Sequence, residues 1–415
     1  MLVYVLNQNS QPLMPCSPCK ARKLLKQGKA IVFKTEPFAI QLLHGASSYK
    51  QIITLGVDAG SKVVGLSATT ETKELYSGEV QLRSDIVNLL STRRQNRRTR
   101  RARLRYRKPR FSNRVKSKNK GWLAPSIENK IQTHLTVVEN LHKILPISKI
   151  IVEVASFDIQ KIKNPDIAGK DYQQGDQMEF WNVREYVLFR DGHRCHGKKG
   201  CKNKILNVHH ITSRKTGGDS PSNLATLCKE CHSDYHKGKL KLNLKHGQAF
   251  KDAAFMSIMR WSFYNRLMKL YPTVSLTYGY ITKNTRIIHN LPKEHRVDAL
   301  CISGNPSAIR LDCFYFSKKV RCHNRQIHKA NLLKGGVKKL NQAQFEVKGF
   351  RLFDKVQSQG KLYFVFGRRN SGFFDIRTLD GVKVNKGSIS YKFLKLIERR
   401  KTLLIERPAI KCQDI

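Results

Sequence analysis

The sequence predicts a mixed α/β protein whose central sheet is assembled from separated stretches of chain, with a small cysteine- and histidine-rich unit inserted among them. Three observations carry this. Two short apolar, β-branched runs hold single carboxylates, Asp58 and Glu153, where a charge is costly to bury unless it binds something. A stretch with helical spacing far downstream carries His295 and Asp298, three apart and therefore on one face. Between Glu153 and His295 lie four cysteines and several histidines with the spacing of metal ligands.

In chain order, "QIITLGVDAGSKVVGLSATT" reads as a hairpin: an apolar run to Val57, Asp58 at its inner end, a Gly60 turn, and a second run through Leu66. Next comes "LLSTRRQNRRTRRARLRYRKPRF", in which ten of 23 residues are arginine. Arginine is a good helix former, and Ser91 or Thr92 is placed to cap the start. Wound at 3.6 residues per turn, Arg93, Arg94, Arg97, Arg98, Arg100, Arg101, Arg103, Arg105 and Arg107 cover every face, so such a helix cannot lay one side on a core. It is a disordered arm, a solvent-exposed helix, or a helix with nucleic acid on more than one side; guanidinium groups pair bidentately with phosphate.

Residues 126–145 have helical spacing, and "IIVEV" is a short buried strand around Glu153. The polar, glycine-containing "DIAGKDYQQGDQ" is a loop leading to the insert. "NLPKEHRVDALCISG" is a helix with Pro292 near its start and Gly304 at its end; Val297, Leu300 and Cys301 face the core. A five-stranded mixed sheet from segments near 51–90, 114–182 and 247–318 accommodates these pieces.

Charge narrows the function. The 415 residues hold 78 Lys+Arg against 30 Asp+Glu, a formal net charge of +48, and 40% are hydrophobic, enough for real cores. A chain this basic repels itself unless a polyanion neutralises it, and nucleic acid is the polyanion that suits charge spread along the whole length. A membrane surface is the weaker reading: no apolar run approaches the ~18 residues that span a bilayer, and "MLVYVLNQNS" shows no basic region before its apolar start, so no secretory signal is evident. An intracellular setting keeps thiols reduced, so the ten cysteines read as free thiols or metal ligands. Cys16 and Cys19 form a CxxC without a partner pair nearby and read as ordinary thiols.

The acids Asp58, Glu153 and Asp298 match a ribonuclease-H-like site, in which carboxylates from strand ends and a helix hold two Mg²⁺ (or Mn²⁺) ions astride a scissile phosphate, with His295 near the attacking water or leaving oxygen. The insert, "RCHGKKGCKNKILNVHHITSRKTGGDSPSNLATLCKECHSDYHKG", reads as two cysteine pairs around a ββα unit. Cys228 and Cys231 pair with the more widely spaced Cys195 and Cys201 to offer four thiolates to a structural Zn²⁺. Within that frame the residues resemble the HNH nuclease pattern: His210 as general base, Asn223 orienting it, and His209, His232 and His236 around one Mg²⁺ or Mn²⁺. A purely structural zinc finger is the alternative, but it needs only four ligands.

The whole order of parts, a nuclease core split in three with an arginine helix after the first part and an HNH insert before the third, resembles the IscB family of transposon-associated endonucleases. "QPLMPCSPCKARKLLKQGKAIVFKTEPFAIQL" looks like that family's PLMP domain, named for Pro12-Leu13-Met14-Pro15; "HNRQIHKANLLKGG" and "SGFFDIRTLDGVKVNKGSISYKFLKLIERRKT" look like its C-terminal region. Ala59 stands where the family commonly has proline.

The resemblance implies a split RNase H-like (RuvC) core, with a PLMP domain at 1–50, RuvC parts at 51–90, 114–182 and 247–318, a bridge helix at 91–113, HNH at 183–246, and a small β-rich region at 319–415 that contacts RNA and the target-adjacent motif. It makes Asp58, Glu153, His295 and Asp298 the RuvC residues, and His209, His210 and Asn223 part of HNH. It also implies a guide RNA of the omega type around the arginine helix, a double-stranded DNA target cut on both strands, and a monomeric, cytoplasmic ribonucleoprotein acting at the nucleoid. Two other functions use the same residues. One is a protein-guided nuclease of the junction-resolvase or homing type, which has no need of a bridge helix; the other is a non-catalytic RNA-binding accessory protein, which has no need of the acids and histidines.

Overall fold

The computed structural model describes residues 2–45, 49–104, 122–154, 180, 182–198, 200–212, 219–245, 251–322 and 344–408. The chain divides into two compact units. One comprises Met1–Ser84, Ile127–Val154 and Arg260–Ile415; the other comprises Asp85–Ser126 and Ala155–Met259.

The first unit begins with strands β1 (Val3–Leu6), β2 (Pro12–Cys16), β3 (Ala30–Lys34) and β4 (Ala39–Leu42), a sheet in the order β2-β1-β4-β3. Helix α1 (Pro18–Lys26) packs Ala21 into its core with Val3, Val5 and Ile40. Its start is set chemically: the Ser17 hydroxyl accepts the Lys20 N–H at 3.3 Å, and Pro18 occupies the first turn, where no N–H is needed.

The central sheet uses β5 (Thr54–Asp58), β6 (Val63–Thr69), β7 (Glu74–Gln81) and β8 (Lys149–Val154). Later strands complete it, after β9 (Leu206–His210) and β10 (Leu224–Cys228) of the other unit: β11 (Val274–Tyr278), β12 (Tyr315–Lys319) and, far along the chain, β18 (Leu403–Glu406). The order is β11-β8-β5-β6-β7-β12-β18, so the sheet has seven strands and not five. The extra strands are short. Val274–Tyr278 forms a parallel edge beside β8, and Leu403–Glu406 pairs antiparallel with β12 from a region whose sequence gives no sign of belonging to this sheet. Strands β5, β8 and β11 run parallel, and Val57 pairs with Val152, so Asp58 and Glu153 stand side by side at the carboxyl edge.

In the second unit, helix α2 (Ile86–Leu104) carries the arginines. It starts at Ile86, ahead of Ser91 and Thr92, with the Leu89 N–H donating to the Asp85 carbonyl at 3.0 Å; the Thr92 hydroxyl bonds the Asn88 carbonyl from inside the helix. Arg93 and Arg94 are exposed. Arg97, Arg98, Arg100, Arg101 and Arg103 continue its backbone; Arg105, Arg107 and the "DIAGKDYQQGDQ" loop lie outside the described residues, as does "HNRQIHKANLLKGG".

The remaining helices are α3 (Pro125–His142), α4 (Val183–Arg190), α5 (Lys229–His236), α6 (Lys251–Leu270), α7 (Gly279–Ile288) and α8 (His295–Ile302). A C-terminal sheet of β13 (Lys355–Ser358), β14 (Lys361–Arg368), β15 (Phe373–Arg377), β16 (Ile389–Ser390) and β17 (Lys395–Glu398) closes over Val356, Val365, Phe374 and Ile376. Among the described residues no helix is long and apolar enough to cross a membrane.

Two glycines seat α8 on the sheet. A Cβ on Gly65 would fall 1.9 Å from the His295 carbonyl oxygen, and one on Gly56 would fall 2.0 Å from that of Ala299. Only glycine lets the helix backbone come this close, which fixes the height of His295 and Asp298 above the strands. Val297, Leu300 and Cys301 are buried beneath it.

Candidate functional sites

The acidic cluster lies wholly in the first unit. Asp58 ends β5 and is 5% exposed; Glu153 is 8% exposed on β8. His295, at the first turn of α8, brings Nδ1 to 2.6 Å from Asp58 Oδ2, and this hydrogen bond raises the imidazole pKa. Asp298 stands one turn on. Burial, and then the charge of Asp58, push its carboxyl up to about 6; burial likewise raises Glu153. The raised carboxyls of Glu153 and Asp298, gathered with Asp58, suit divalent cations, and these three are the side chains that would hold them.

The sequence reading missed two arginines here. Arg260, on α6, is 7% exposed. Its Nη1 donates to Glu153 Oε1 at 2.7 Å, its Nη2 lies 3.6 Å from Asp58 Oδ1, and its Nε donates to the Ala59 carbonyl at 3.0 Å. Arg286, on α7, pairs its Nε with Asp298 Oδ1 at 3.0 Å. One turn earlier on α7, Thr282 bonds Glu153. The signal for Arg260 was faint: it shares its helix with Lys251, Arg266 and Lys269, and only its spacing from the buried Phe263 and Leu267 sets it apart. Behind the acids, His134 on α3 is fully buried, Nδ1 2.7 Å from the Lys130 carbonyl and its ring 5.1 Å from that of Phe263.

The second cluster lies wholly in the other unit. Strands β9 and β10 form an antiparallel hairpin in which His210 pairs with Leu224 and Leu206 with Cys228; α5 follows directly. The hairpin joins Cys195, Cys201, Cys228 and Cys231, whose Sγ atoms all lie within 4.8 Å of one another despite the wide first spacing. The Cys228 N–H points at Cys195 Sγ at 3.1 Å and the Cys231 N–H at Cys228 Sγ at 3.3 Å, donors that favour thiolates. A Cβ on Gly197 would fall 2.6 Å from Cys231 Sγ, so the loop between the first two cysteines can wrap the sulfurs only with glycine there. Donor type and closure fit a structural Zn²⁺.

His209, His232 and His236 form a second ligand set within 4.8 Å, with His232 and His236 Nε2 atoms 3.3 Å apart. His209 Nε2 is buried without a hydrogen-bond partner, an orphan that a metal would satisfy. Burial, and then its histidine neighbours, press the His209 pKa down to about 4, and burial lowers that of His232. Neutral imidazoles are what a divalent ion needs.

His210 points the other way along the strand and is partly exposed, its Nε2 2.9 Å from Asp219 Oδ1, a partner the sequence reading did not single out. Asn223 is 2% exposed and spends both ends of its amide on Thr212, accepting its N–H and donating to its carbonyl, each at 2.8 Å. Asn223 is thereby tied to the loop two residues beyond His210.

A family model described as RRXRR protein matches residues 3–175, and one described as HNH endonuclease matches residues 193–238. Arg97, Arg98, Thr99, Arg100 and Arg101 spell the first name. Anaredoxin from Nostoc sp. (strain PCC 7120) is 42% identical over 43 residues, 10% of this chain and 57% of that protein. Among solved structures, Streptococcus thermophilus Cas9 in complex with the AGAA PAM matches at 14% identity and a TM-score of 0.33, over 50% of this chain and 30% of that one. The Type II-C Cas9 from Actinomyces naeslundii matches at 10% identity and a TM-score of 0.25, over 61% and 60%. The chain thus spans less than two thirds of the length of each.

Proposed function

We propose that the chain, which joins a region matched by the RRXRR model to one matched by the HNH endonuclease model, is an RNA-guided DNA endonuclease of the IscB/Cas9 type that cuts both strands of a guide-matched duplex. The observation that carries this reading is the presence in one chain of two separate clusters, the buried acids of the central sheet and the histidine ligand set of the ββα unit, together with a helix whose sequence sets arginine on all sides. Two cutters suit two strands. A helix that cannot bury a face in protein suits an RNA–DNA hybrid gripped by its backbone while base pairing reads the sequence.

On this reading the central sheet is a split RuvC core, the segment boundaries are those set out from the sequence, and the C-terminal sheet meets RNA and the target-adjacent motif. The ββα unit cuts the guide-paired strand. His210, its Nε2–H held by Asp219, takes the proton of the attacking water at Nδ1, and Asn223 keeps the strand end rigid beneath it. His209, His232 and His236 hold the Mg²⁺ or Mn²⁺ ion, and four cysteines hold Zn²⁺. At the displaced strand, Asp58, Glu153 and Asp298 hold the ions, while His295, oriented by Asp58, stands ready to move a proton. The bound ions supply a Lewis acid for the phosphate and charge neutralisation for its leaving oxygen. The partners are an omega-type guide RNA and duplex DNA, in a monomeric cytoplasmic ribonucleoprotein.

The test mixes RNA-free protein with duplex DNA and Mg²⁺, with and without RNA that co-purifies with the protein. Site-specific cutting only with RNA is expected. Cutting without RNA would favour the protein-guided nuclease, and no cutting of a matched target would favour the accessory protein. Replacing Arg97, Arg98, Arg100 and Arg101 with Ala should lower RNA affinity. It should also make the plot of log affinity against log salt shallower, by about 0.7–0.9 in slope for each phosphate left unneutralised.

A further inference from the structure

The carboxyl edge of the central sheet carries a third feature beside its two acids. Strands β5, β8 and β11 are adjacent and parallel there; Asp58 ends the first, Glu153 is the penultimate residue of the second, and Tyr278 ends the third. Thr277 pairs in register with Glu153 and Tyr278 with Val154. The chain then turns through Gly279 into α7. A Cβ on Gly279 would lie 3.3 Å from Glu153 Oε1, so this turn passes directly against the carboxylate.

Two tyrosines bracket the turn. The rings of Tyr278 and Tyr280 are nearly parallel, 13° apart with centroids 6.1 Å apart, and the residues are 40% and 66% exposed. Helix α7 turns Thr282 and Arg286 inward to Glu153 and Asp298, and leaves Tyr280, Ile281 and Lys283 exposed. Two exposed, nearly parallel aromatic rings on either side of the turn that passes Glu153, with a lysine on the next helical turn and a chain of net charge +48, match a single nucleic acid strand. Bases can lie on ring faces while the backbone follows positive charge.

We propose that Tyr278 and Tyr280 form a stacking platform for a nucleobase of the displaced DNA strand, and that the platform sets which phosphodiester reaches Asp58, Glu153 and Asp298. The platform holds only a strand already single, because a paired base offers no free face to a ring on the protein surface. It is tolerant of sequence, since every base has a π-face. The tyrosines are positioning residues: they touch the strand beside the reacting phosphate and not the phosphate itself.

This inference rests on the guided-nuclease reading, and the experiment separates the two. The guide complex is assembled without added Mg²⁺ or Mn²⁺, and without chelator so that the four-cysteine zinc is kept, on a duplex carrying 2-aminopurine in the displaced strand at the nucleotides flanking its cut. Quenching of the probe is expected in wild type and in Tyr280→Phe, and its loss in Tyr280→Ala and Tyr278→Ala. With Mg²⁺, the alanine variants should nick the displaced strand about tenfold more slowly, or at shifted positions, while the guide-paired strand is cut at the wild-type rate.

Unchanged quenching together with unchanged nicking in both alanine variants would overturn the platform, and so would equal slowing of both strands. If wild type cuts no guide-matched duplex, the guided reading falls, and the platform is judged on a 2-aminopurine single strand mixed with the whole chain without added Mg²⁺ or Mn²⁺. Quenching lost with Tyr280→Ala then supports it, and quenching retained in both variants overturns it.

Discussion

The two clusters reach a metal-ready state by opposite means. In the ββα unit the imidazoles are kept neutral: burial lowers the His209 pKa to about 4, and its buried Nε2 has no hydrogen-bond partner. In the central sheet the ligands are anions, and their charge is already opposed by Arg260 between Asp58 and Glu153 and by Arg286 on Asp298. One site is stabilised by the absence of charge and the other by a resident countercharge. The difference teaches that a divalent-ion ligand set can be prepared from neutral imidazoles in one setting and from ion-paired carboxylates in another. The four-cysteine frame does for the small unit what a core of buried apolar strands does for the large one.

The sharpest way to break the comparison is to disable each side separately. Asp58→Ala is expected to abolish cutting of one strand and His210→Ala that of the other, each by roughly 10²–10⁴-fold, with the remaining strand cut normally. Strand-resolved gels check this, and a single variant that still makes double-strand breaks at the wild-type rate would refute two independent sites.

Cys228→Ser tests the frame. Loss of one thiolate should release zinc, measurable by elemental analysis, and unfold the ββα unit, leaving a nick by the acidic site. Full activity of both sites without zinc would rule out a structural role for the four cysteines.

Arg260→Gln tests the countercharge. Leaving Asp58 and Glu153 buried without their shared cation should cost about 3–5 kcal/mol of the first unit's stability in chelator. Mn²⁺ should recover most of that loss, because a divalent cation can neutralise the same carboxylates. An equal fall in melting temperature with and without Mn²⁺ would mean that the guanidinium serves packing alone.

The smallest expected effect is on acid stability. His134 is buried, and burial holds its pKa at about 4, below its unfolded value near 6.5, so the unfolded chain binds the proton first. The contribution of neutral His134 is full above pH 6.5 and is lost as pH falls toward 4, by about 2–3 kcal/mol. Denaturant melts of the first unit from pH 7 to 4.5 should show the fall, and His134→Gln should flatten it.

The ββα site was legible because its ligands lie within 42 residues of each other, from Cys195 to His236, where spacing alone encodes geometry. Only Asp219 escaped, since a carboxylate in a polar loop announces nothing. The acidic site was legible in its acids and histidine, which break apolar patterns at Asp58 and Glu153. Arg260 and Arg286 were not, because basic residues are too common in this chain to stand out and their partners lie far away in sequence. The fold followed the same rule. Local hairpins and helices could be read from periodicity, whereas the edges of the sheet, β11 and β18, depend on pairing with distant strands.

That last strand has a consequence for how the molecule is made. Residues 403–406 complete the central sheet, yet the second unit ends at Met259, about 150 residues earlier, so at ~5–20 residues per second the ribosome holds the sheet unfinished for some 7–30 s after the ββα unit has emerged. From the moment Lys319 is made until Leu403 follows, β12 exposes an open edge, and the parallel pairing of β5, β8 and β11 must be won across long sequence separations. The nascent chain therefore passes through a stage with one folded module and one vulnerable half-sheet, and a stalled or clipped product ending before Leu403 would carry that edge permanently into aggregation.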